Sequence, residues 1–349
     1  MKFKKNGQDY TIVDIARELN ISAATVSRAL NNHNDISDAT KERVRNMARK
    51  MGYQRNRIAS GLRSKKSYTV GFIIPSLSSF FQTELLTDIQ NQMHEYGYNV
   101  IICQSNESFE LEQELVNTLY SYRVDALFAS LTLFTSNYNH FQAFIDRGIP
   151  VVFYDRVPKE KMHAHVIKGD DFRGGFLAGN HLIETGCKSF AFINGPVTCN
   201  LYHDRYKGFK AALEGGGFVL EEDMVFCHEL TYENAWDTCR KIFDEKKIRP
   251  DGIFATNDIS AIAILQYAKE RGIKVPSELK IIGYSNDPRT SFVTPSITTI
   301  DQKIPEIADS VVKAFLDLIN GNKDIAPAQV KNIKTTNVIG VELIRRMST

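Results

Sequence analysis

Short apolar runs alternate with amphipathic segments from Tyr68 onward, and this alternation constrains the fold more than any other feature. The runs are TVGFIIP, YNVIICQ, DALFASL, PVVFYD, SFAFING, DGIFAT and LKIIGYS. Each is apolar enough to be a strand that is buried on both faces of a sheet. The segments between them, such as FQTELLTDIQNQMHEYG and ISAIAILQYAKERG, have the periodicity of helices. This order predicts the α/β class, with a doubly wound parallel sheet flanked by helices.

The predicted strands are too many for one small sheet, and the pattern restarts near Lys188. A chain of 349 residues is long enough for two or three domains, each with its own core. We therefore expect a small N-terminal module followed by a body, residues 68–349, that consists of two similar lobes. The predicted first lobe comprises about 68–165 and 298–325, and the second about 166–297 and 326–349.

The first 66 residues differ from the rest of the chain in charge. They carry 15 Lys and Arg against 6 Asp and Glu, a net +9, whereas the remaining residues carry 28 against 35, a net −7. The overall charge of +2 conceals this difference. A compact basic module on a mildly acidic body is typical of a protein that binds a polyanion.

Three helices are predicted in the basic module. Thr11 can cap the first helix, and Asn20 tolerates the left-handed conformation of a tight turn before Ser22, which can cap the second. A third helix is predicted to begin after Ser37 and to end at Gly52. Its outward basic residues, which suit contacts with DNA phosphates, are Lys41, Arg43, Arg45 and Lys50.

The second helix, SAATVSRALNN, places small side chains and one arginine on the same side. At roughly 100° per residue, Ala23, Ala24, Ser27 and Arg28 share one arc, and the larger apolar residues share the opposite arc. A flat outward face lets a helix approach base edges in the major groove, where Arg28 can donate to guanine. An alanine-rich face exposed only to solvent is the alternative for this helix taken alone.

The segment NRIASGLRSKK follows the third helix. It is too short to be a stable helix by itself, and Gly61 weakens it further. Paired with its copy from a second subunit on DNA it could fold, with Leu62 inserted into the minor groove and Ala59 allowing close helix approach. An ordinary basic linker is the alternative.

The stretch TIVDIARELNISAATVSRALNN, followed by ISDATKERVRNMARKMGYQRNRIASGLR, resembles the headpiece and hinge of the LacI/GalR family of bacterial transcription regulators. The resemblance implies a helix-turn-helix headpiece over residues 1–55 and a hinge over 56–67. It also implies that Ala23, Ala24 and Arg28 read bases, the two alanines through thymine methyl groups. The predicted DNA-binding residues are Thr11, Ser22, Ala23, Ala24, Thr25, Ser27, Arg28, Asn31, Asn56, Ala59 and Leu62.

In open parallel sheets a ligand binds beyond the carboxyl ends of the strands, so the residues that follow the predicted strands nominate a site. These residues combine aromatic rings, carboxylates and an arginine, which suits a polyhydroxylated small molecule. Any one of them could instead be a helix cap or a surface charge. The predicted effector-binding residues are Phe80, Phe81, Asp155, Phe172, Arg205, Asp258, Ser285, Asp287 and Gln302.

The LacI/GalR resemblance extends across the body and implies a periplasmic-binding-protein-like fold of type I, with three crossovers between the lobes. DRYKGFKAAL resembles the family's Arg-x-x-Gly-Phe motif and TPSITTIDQ its Thr-Thr-x-x-Gln motif, which implies that Arg205 and Gln302 contact the effector or line the cleft. Many members have an aspartate where this chain has Ser285. Asp287 is the candidate substitute for that carboxylate.

Motifs of several enzyme classes are missing from the sequence. It contains no Gly-x-x-x-x-Gly-Lys-Ser/Thr loop and no Gly-x-Ser-x-Gly elbow, and GDDFRGGFLAG lacks the spacing of a dinucleotide fingerprint. His163 and His165 would need further metal ligands that the sequence does not indicate. We therefore expect no catalysis, no cofactor and no metal.

The five cysteines are odd in number and contain no Cys-x-x-Cys pair, which favours a reduced, cytoplasmic setting over a disulfide framework. The basic N-terminal segment lacks the apolar core of a signal peptide, and no apolar run is long enough to span a bilayer. We therefore expect a cytoplasmic protein that does not enter the membrane.

Together these features predict a homodimeric, sequence-specific DNA-binding regulator. We expect it to repress carbohydrate-utilisation genes from a palindromic operator under the control of a small-molecule effector, a sugar or sugar derivative. A sugar-binding protein whose basic head docks a partner other than DNA is the first alternative, and a sugar-converting enzyme is the second. No heptad run follows Ile339, which favours a dimer over a tetramer.

Overall fold

A computed structural model of the protein describes residues 10–53, 66–245, 249–321 and 336–349. The chain divides into two compact units, Met1–Ser67 and Tyr68–Thr349. The first unit contributes helices α1 (Ile12–Leu19), α2 (Ala23–Leu30) and α3 (Asp38–Met51). The three predicted helices of the basic module are thereby confirmed.

The predicted signals at Ser22, Ser37 and Asn20 act as expected, whereas the Thr11 hydroxyl donates to Oδ2 of Asp14 at 2.7 Å. The Ser22 hydroxyl caps α2 by accepting from the amide of Thr25 at 3.0 Å, and Ser37 caps α3 in the same way. Asn20 ends α1 in the left-handed region with φ of 58°. Apolar residues from all three helices form the core of this unit: Ile15, Ala16, Val26, Ala29, Val44, Ala48 and Met51.

The second unit, the body, contains twelve strands among its described residues. They are β1 (Thr69–Ile74), β2 (Asn99–Gln104), β3 (Ala126–Ala129), β4 (Val151–Tyr154), β5 (His165–Gly169), β6 (Phe190–Asn194), β7 (Val225–Cys227), β8 (Gly252–Ala255), β9 (Lys280–Tyr284), β10 (Thr298–Asp301), β11 (Thr336–Ile339) and β12 (Glu342–Ile344). Its helices are α4 (Phe80–Glu95), α5 (Phe109–Ser121), α6 (Gln142–Asp146), α7 (Asp171–Glu184), α8 (Asn200–Gly215), α9 (Tyr232–Arg240), α10 (Asp258–Glu270), α11 (Arg289–Phe292) and α12 (Ile304–Gly321).

The strands form two six-stranded sheets. The first has the order β11-β5-β4-β3-β1-β2 and is entirely parallel, and the second has the order β12-β10-β9-β8-β6-β7, in which only β12 is antiparallel. We call each sheet with its packed helices a lobe. The predicted α/β class with two doubly wound lobes is confirmed.

The chain passes between the lobes after β5, after β10 and after β11. Helix α12 packs against the first sheet, where the rings of Phe128 and Phe315 meet edge to face with centroids 5.8 Å apart. The first lobe therefore includes α4, α5, α6 and α12, and the second includes α7 to α11.

The predicted lobe boundaries are wrong at three strands. β5 and β11 belong to the first lobe, because Val166 pairs with both Phe153 and Thr336. β10 belongs to the second lobe, because Thr298 pairs with Ile282. These strands are short and contain polar residues, so their composition does not distinguish them from loops.

None of the helices in the described part of the chain has the length and apolar character that crossing a membrane requires.

Candidate nucleic-acid interface and effector site

The outward face of α2 has largely the predicted composition. Val26 and Ala29 are fully buried in the headpiece core, whereas Ala24 and Arg28 are exposed and Ser27 is half-buried. Ala23 lies further inward than predicted, because it is half-buried and packs against that core. Residues 24, 27 and 28 therefore form the accessible part of this face.

Arg28 forms an ion pair that the sequence did not indicate. Its Nη1 donates to Oδ2 of Asp35 at 3.0 Å, and the two side chains are 60% and 51% exposed. Exposed pairs of this kind contribute only about 0.2–1 kcal/mol. The guanidinium is therefore held at the surface by a contact that a base or phosphate can replace at little cost.

Other residues of the predicted DNA-binding set stabilise the helices of the headpiece. The Thr11 amide donates to Oδ2 of Asp14 at 2.9 Å, the Ser22 and Thr25 hydroxyls bond each other at 2.8 Å, and Nδ2 of Asn31 donates to the Ser27 carbonyl at 2.8 Å. The polar side chains of Thr11, Ser22, Thr25 and Asn31 thus lie at or near the ends of α1 and α2. Asn56, Ala59 and Leu62 lie outside the described residues.

Lys41 does not take the outward position predicted for it. It is buried, and its Nζ forms an ion pair with Asp38 at 3.2 Å. Because it lies on the inner side of α3, only Arg43, Arg45 and Lys50 of the predicted phosphate contacts are exposed.

Arg205 joins several elements of the second lobe at one point. The side chain is buried in α8, and its Nε donates to Oδ1 of Asp171 at 2.9 Å. Nη1 donates to the carbonyl of Thr256 at 2.8 Å, and Nη2 donates to Oε1 of Gln302 at 3.3 Å. The guanidinium carbon lies 3.5 Å from the ring centroid of Tyr284. Arg205 therefore connects α7, α8, the end of β8 and the crossing after β10.

Asp171, and not the adjacent Asp170, faces this network. Its Oδ1 also accepts from the hydroxyl of Tyr284 at 3.1 Å. Burial raises the pKa of Asp171, and the Arg205 guanidinium opposes that shift. Asp170 instead caps α7 by accepting from the amide of Arg173 at 2.9 Å. The sequence places both carboxylates at the start of the same helix and does not show which one turns inward.

Two glycines bring α7 and α8 into main-chain contact. A Cβ atom at Gly208 would lie 1.9 Å from the carbonyl oxygen of Phe172, and one at Gly175 would lie 2.1 Å from that of Arg205. No side chain fits at either position. This close approach sets Asp171 beside Arg205.

Gln302 and Ser285, two further predicted effector-binding residues, extend the same network. Nε2 of Gln302 donates to the Ser285 hydroxyl at 2.9 Å, and Gln302 is buried. Ser285 has a φ of 115°, which places the turn after β9 in a strained conformation. Three predicted residues, Arg205, Gln302 and Ser285, are thereby joined by hydrogen bonds.

Asp258 and Asp287 form a separate network. Oδ1 of Asp258 accepts from the Thr299 hydroxyl at 2.6 Å, and Oδ2 accepts from the amide of Asp287 at 2.7 Å. The Asp287 carboxylate accepts from the amide and Nε of Arg289 at 2.9 and 3.0 Å. Burial raises the pKa of Asp258 to about 7, although the bond from Thr299 opposes this. Both carboxylates are occupied in holding the loop after β9, which disfavours Asp287 as a substitute sugar ligand.

Asp155 directly follows β4, in the left-handed region with φ of 58°. Its Oδ2 accepts from Nε2 of Gln82 at 2.7 Å. Burial raises its pKa to about 6, and the charges of Arg156 and Arg205 oppose the shift. Gln82 was not among the predicted site residues, although it directly follows the predicted aromatic pair Phe80 and Phe81.

The aromatic residues of the predicted set separate into different environments. Phe81 packs in the core of the first lobe, so its predicted place in the effector site is wrong. It turns inward because it shares the buried face of α4 with Leu85. Phe80 is half-buried at the start of α4, and Phe172 is 45% exposed with its ring stacked near Phe176.

A cavity of about 410 Å³ lies between the lobes. Residues that follow β3 and β4 line it from the first lobe, and residues 198–200 line it from the second. Asn200 joins the two sides, because its Nδ2 donates to the carbonyl of Asp155 at 3.1 Å and its Oδ1 accepts from the amide of Val157 at 3.0 Å. The cavity is thus part of the cleft at the carboxyl ends of the strands.

The loop after β3 is fixed by a buried carboxylate. Glu112 on α5 accepts from the amide of Thr132 at 2.8 Å, from the Thr135 hydroxyl at 3.0 Å and from Nε2 of His140 at 2.9 Å. This carboxylate is fully buried. It holds one wall of the cavity in place, and nothing in the sequence pattern identified it.

A three-helix unit with an exposed arginine on its second helix, followed along the chain by two parallel-sheet lobes with a polar cleft, is typical of a DNA-binding regulator. Residues 11–56 match the family described as bacterial regulatory proteins, lacI family, and residues 180–349 match the periplasmic binding protein-like domain. With the relatives described next, these matches show that the chain belongs to the lacI family and is a transcriptional regulator.

Catabolite control protein A of Priestia megaterium is 30% identical over 311 residues, which cover 89% of this chain and 92% of that protein. The HTH-type transcriptional regulator DegA of Bacillus subtilis (strain 168) is 31% identical over 298 residues, which cover 85% and 88%. The lac repressor dimer bound to operator and the anti-inducer ONPF has a TM-score of 0.85 at 22% identity, with 98% of this chain and 99% of that chain covered. This last similarity shows the fold alone.

Proposed function

We propose that the protein is a homodimeric repressor that binds a palindromic operator through α2 and releases or gains affinity for it when a sugar or sugar derivative occupies the cleft. Its place of action is the cytoplasm, where the operator is accessible. The observation that carries the proposal is the accessible arc of Ala24, Ser27 and Arg28 on a helix whose opposite side buries Val26 and Ala29.

The chemistry of this arc favours base reading over general adhesion to phosphates. Small side chains let the helix enter the major groove, and the Arg28 guanidinium can donate two hydrogen bonds to a guanine. The exposed basic residues of α3 supply contacts that orient the headpiece without reading sequence.

The cleft supplies the means of control. Asn200 bonds the first lobe, and the Arg205 network ends at Gln302 in a crossing between the lobes. A ligand that contacts these groups changes the angle between the lobes and thereby the spacing of the two headpieces in a dimer. A coupling free energy of about 1–3 kcal/mol is sufficient to change operator occupancy.

The test is selection of preferred sites from a library of palindromic DNA, followed by binding titrations with Arg28→Ala and with Arg49→Ala as the control. Arg28→Ala is expected to cost about 1–3 kcal/mol and to relax the preference at one base pair of each half-site. Arg49 is exposed on α3, so its variant should at most weaken binding uniformly.

The alternative is a sugar-binding protein whose basic head docks a partner other than DNA. Binding that falls steeply with salt but shows no preferred sequence would favour that alternative, because counterion release alone gives this behaviour. A preferred palindrome that Arg28→Ala does not alter would refute the role of Arg28.

A further inference from the structure

The wall of the cavity between the lobes carries only positive formal charge. Its charged lining residues are Arg156 and Lys159, and its other polar lining groups are hydroxyls of serine, threonine and tyrosine, a thiol and the amide of Asn200. No carboxylate lines it among the described residues. A neutral polyol would not require this excess of positive charge.

Arg156 is held so that one edge of its guanidinium remains available. Nη1 donates to both carboxylate oxygens of Glu107, at 2.7 and 2.9 Å, and the Arg156 side chain is only 14% exposed. Within the described part of the chain, Nε and Nη2 have no hydrogen-bond partner. These two nitrogens form the edge with which arginine binds a carboxylate or phosphate in a bidentate manner.

The start of α8 contributes a second source of positive potential. Residues 198–200 line the cavity, and Cys199 is the N-cap residue of this 16-residue helix. Its side chain makes no capping hydrogen bond. Main-chain amides at the N-terminus of a helix, together with the helix dipole, favour a bound anion.

Three carboxylates lie near the cavity, and each is engaged by protein donors. Glu107 balances the charge of Arg156 through Nη1 and accepts from the amide of Leu133 at 2.9 Å, so Lys159 supplies the net positive charge of the lining. Asp155 accepts from Gln82, and Glu112 accepts from Thr132, Thr135 and His140. None of these carboxylates is part of the lining.

We propose that the effector is an anionic carbohydrate, whose phosphate or carboxylate group binds the Nε–Nη2 edge of Arg156 and the N-terminus of α8. Its hydroxyl groups meet the hydroxyls of Thr132, Thr135 and Tyr138, which line the cavity from the loop after β3. This proposal deepens the proposed function and depends on it only for the effect of the ligand on operator binding.

The experiment uses isothermal titration calorimetry on the full chain with matched probes. Each of several neutral sugars is compared with its phosphate ester and with the corresponding aldonic acid, and inorganic phosphate is titrated alone. We expect at least one ester or acid to bind at least tenfold more tightly than its neutral parent. Comparing the titrations with phosphate esters and with aldonic acids shows whether the protein binds a phosphate or a carboxylate group.

Three variants show whether Arg156 is the binding residue. Arg156→Gln is expected to weaken the best anionic ligand roughly 10- to 100-fold, the effect of losing a charged hydrogen-bonding pair. Arg156→Lys keeps the positive charge but loses the paired donors Nε and Nη2, so its affinity for the anionic ligand should lie between those of wild type and Arg156→Gln. Lys210→Gln, an exposed position on α8, should bind as wild type does. Thermal unfolding of each variant establishes that it is folded.

Tightest binding by a neutral sugar, or unchanged anion affinity in a folded Arg156→Gln, would overturn the inference. Operator affinity is measured in the same samples. A neutral sugar that changes operator affinity would support the proposed function but refute the proposal that the effector is anionic. Failure of the wild type to prefer any operator would remove the proposed function, and the calorimetric result would still decide the ligand class.

Discussion

The side-chain amide of Asn200 donates to the main-chain oxygen of Asp155 at 3.1 Å, so a residue at the start of α8 in the second lobe bonds the end of β4 in the first. The same amide group accepts from Val157 at 3.0 Å. The Asn200 side chain therefore satisfies one main-chain acceptor and one main-chain donor after β4, as the main chain of an adjacent strand would.

Asn200→Ala should lower the free energy of unfolding of the body by about 1–3 kcal/mol, because it leaves a main-chain donor and a main-chain acceptor without partners. Asn200→Asp retains the acceptor for Val157 and should cost less. Urea unfolding followed by circular dichroism measures both. Equal stability of Asn200→Ala and wild type would show that solvent satisfies these groups.

Gly208→Ala should destabilise the body by at least about 1–3 kcal/mol, because the new methyl group meets the main chain of α7 and forces the helices apart. Gly215→Ala in the same helix is the matched control, since a Cβ there has nothing within 4 Å. The free energy of unfolding of this control should rise by about 0.5–1 kcal/mol. A Gly208→Ala protein as stable as wild type would contradict the close contact of α7 and α8.

Asp171→Asn should be more damaging than Asp170→Asn. The first change removes the buried partner of the Arg205 guanidinium, and breaking a buried pair in this way costs about 3–5 kcal/mol. The second alters only a helix cap, which is worth about 0.5–2 kcal/mol. Comparison of their urea midpoints tests the order, and a larger loss for Asp170→Asn would reverse our assignment of the two carboxylates.

The contributions of Asp258 and Asp155 to stability should fall as the pH rises from about 4 to 7. Burial raises the pKa of Asp258 to about 7 and that of Asp155 to about 6, whereas an unfolded aspartate titrates near 3.9. In this window the folded chain binds more protons than the unfolded chain, so each group lowers the free energy of unfolding by up to about 1.4 kcal/mol per pH unit.

Asp258→Asn cannot titrate and should therefore flatten this dependence. The measurement is the free energy of unfolding in urea at several pH values, with the exposed Asp237→Asn as the control. An unchanged slope in Asp258→Asn would mean that the pKa of this carboxyl is not raised by burial.

Asp35→Asn should tighten operator binding by about 0.2–1 kcal/mol. The substitution removes the carboxylate that competes with DNA for Arg28 and also removes a negative charge near the phosphates. Fluorescence anisotropy at several salt concentrations measures the change. Weaker binding would indicate instead that Asp35 orients Arg28 for base contact.

The headpiece could be predicted closely from the sequence because its signals are local. The capping hydroxyls of Ser22 and Ser37 act within a single turn, and Gly52 ends α3 in the left-handed region that its type favours. The order of strands and helices in the body was likewise visible, since buried parallel strands require continuous apolar runs. What local pattern did not show was the burial of Lys41, which depends on how α3 lies against the other helices.

The site in the body could be predicted only in part. Arg205 and Gln302 were identified through motifs, but the choice between Asp170 and Asp171, and between Phe80 and Phe81, depends on the rotation of a helix against its neighbours. Two adjacent residues of the same type cannot be distinguished by sequence pattern, and only the packing of the helix shows which of the two is buried. Short strands with polar residues such as Lys168 raise the same difficulty, because their pairing partners are distant in sequence.

The three passages between the lobes are one or two residues long: residue 170, residues 302–303 and residues 340–341. The strands that lead into them are neighbours, β5 beside β11 in one sheet and β10 beside β12 in the other. Three short connections along one edge restrict sliding and favour a hinge movement of the lobes. We therefore expect ligands of different shape to differ more in the extent of this movement than in its direction.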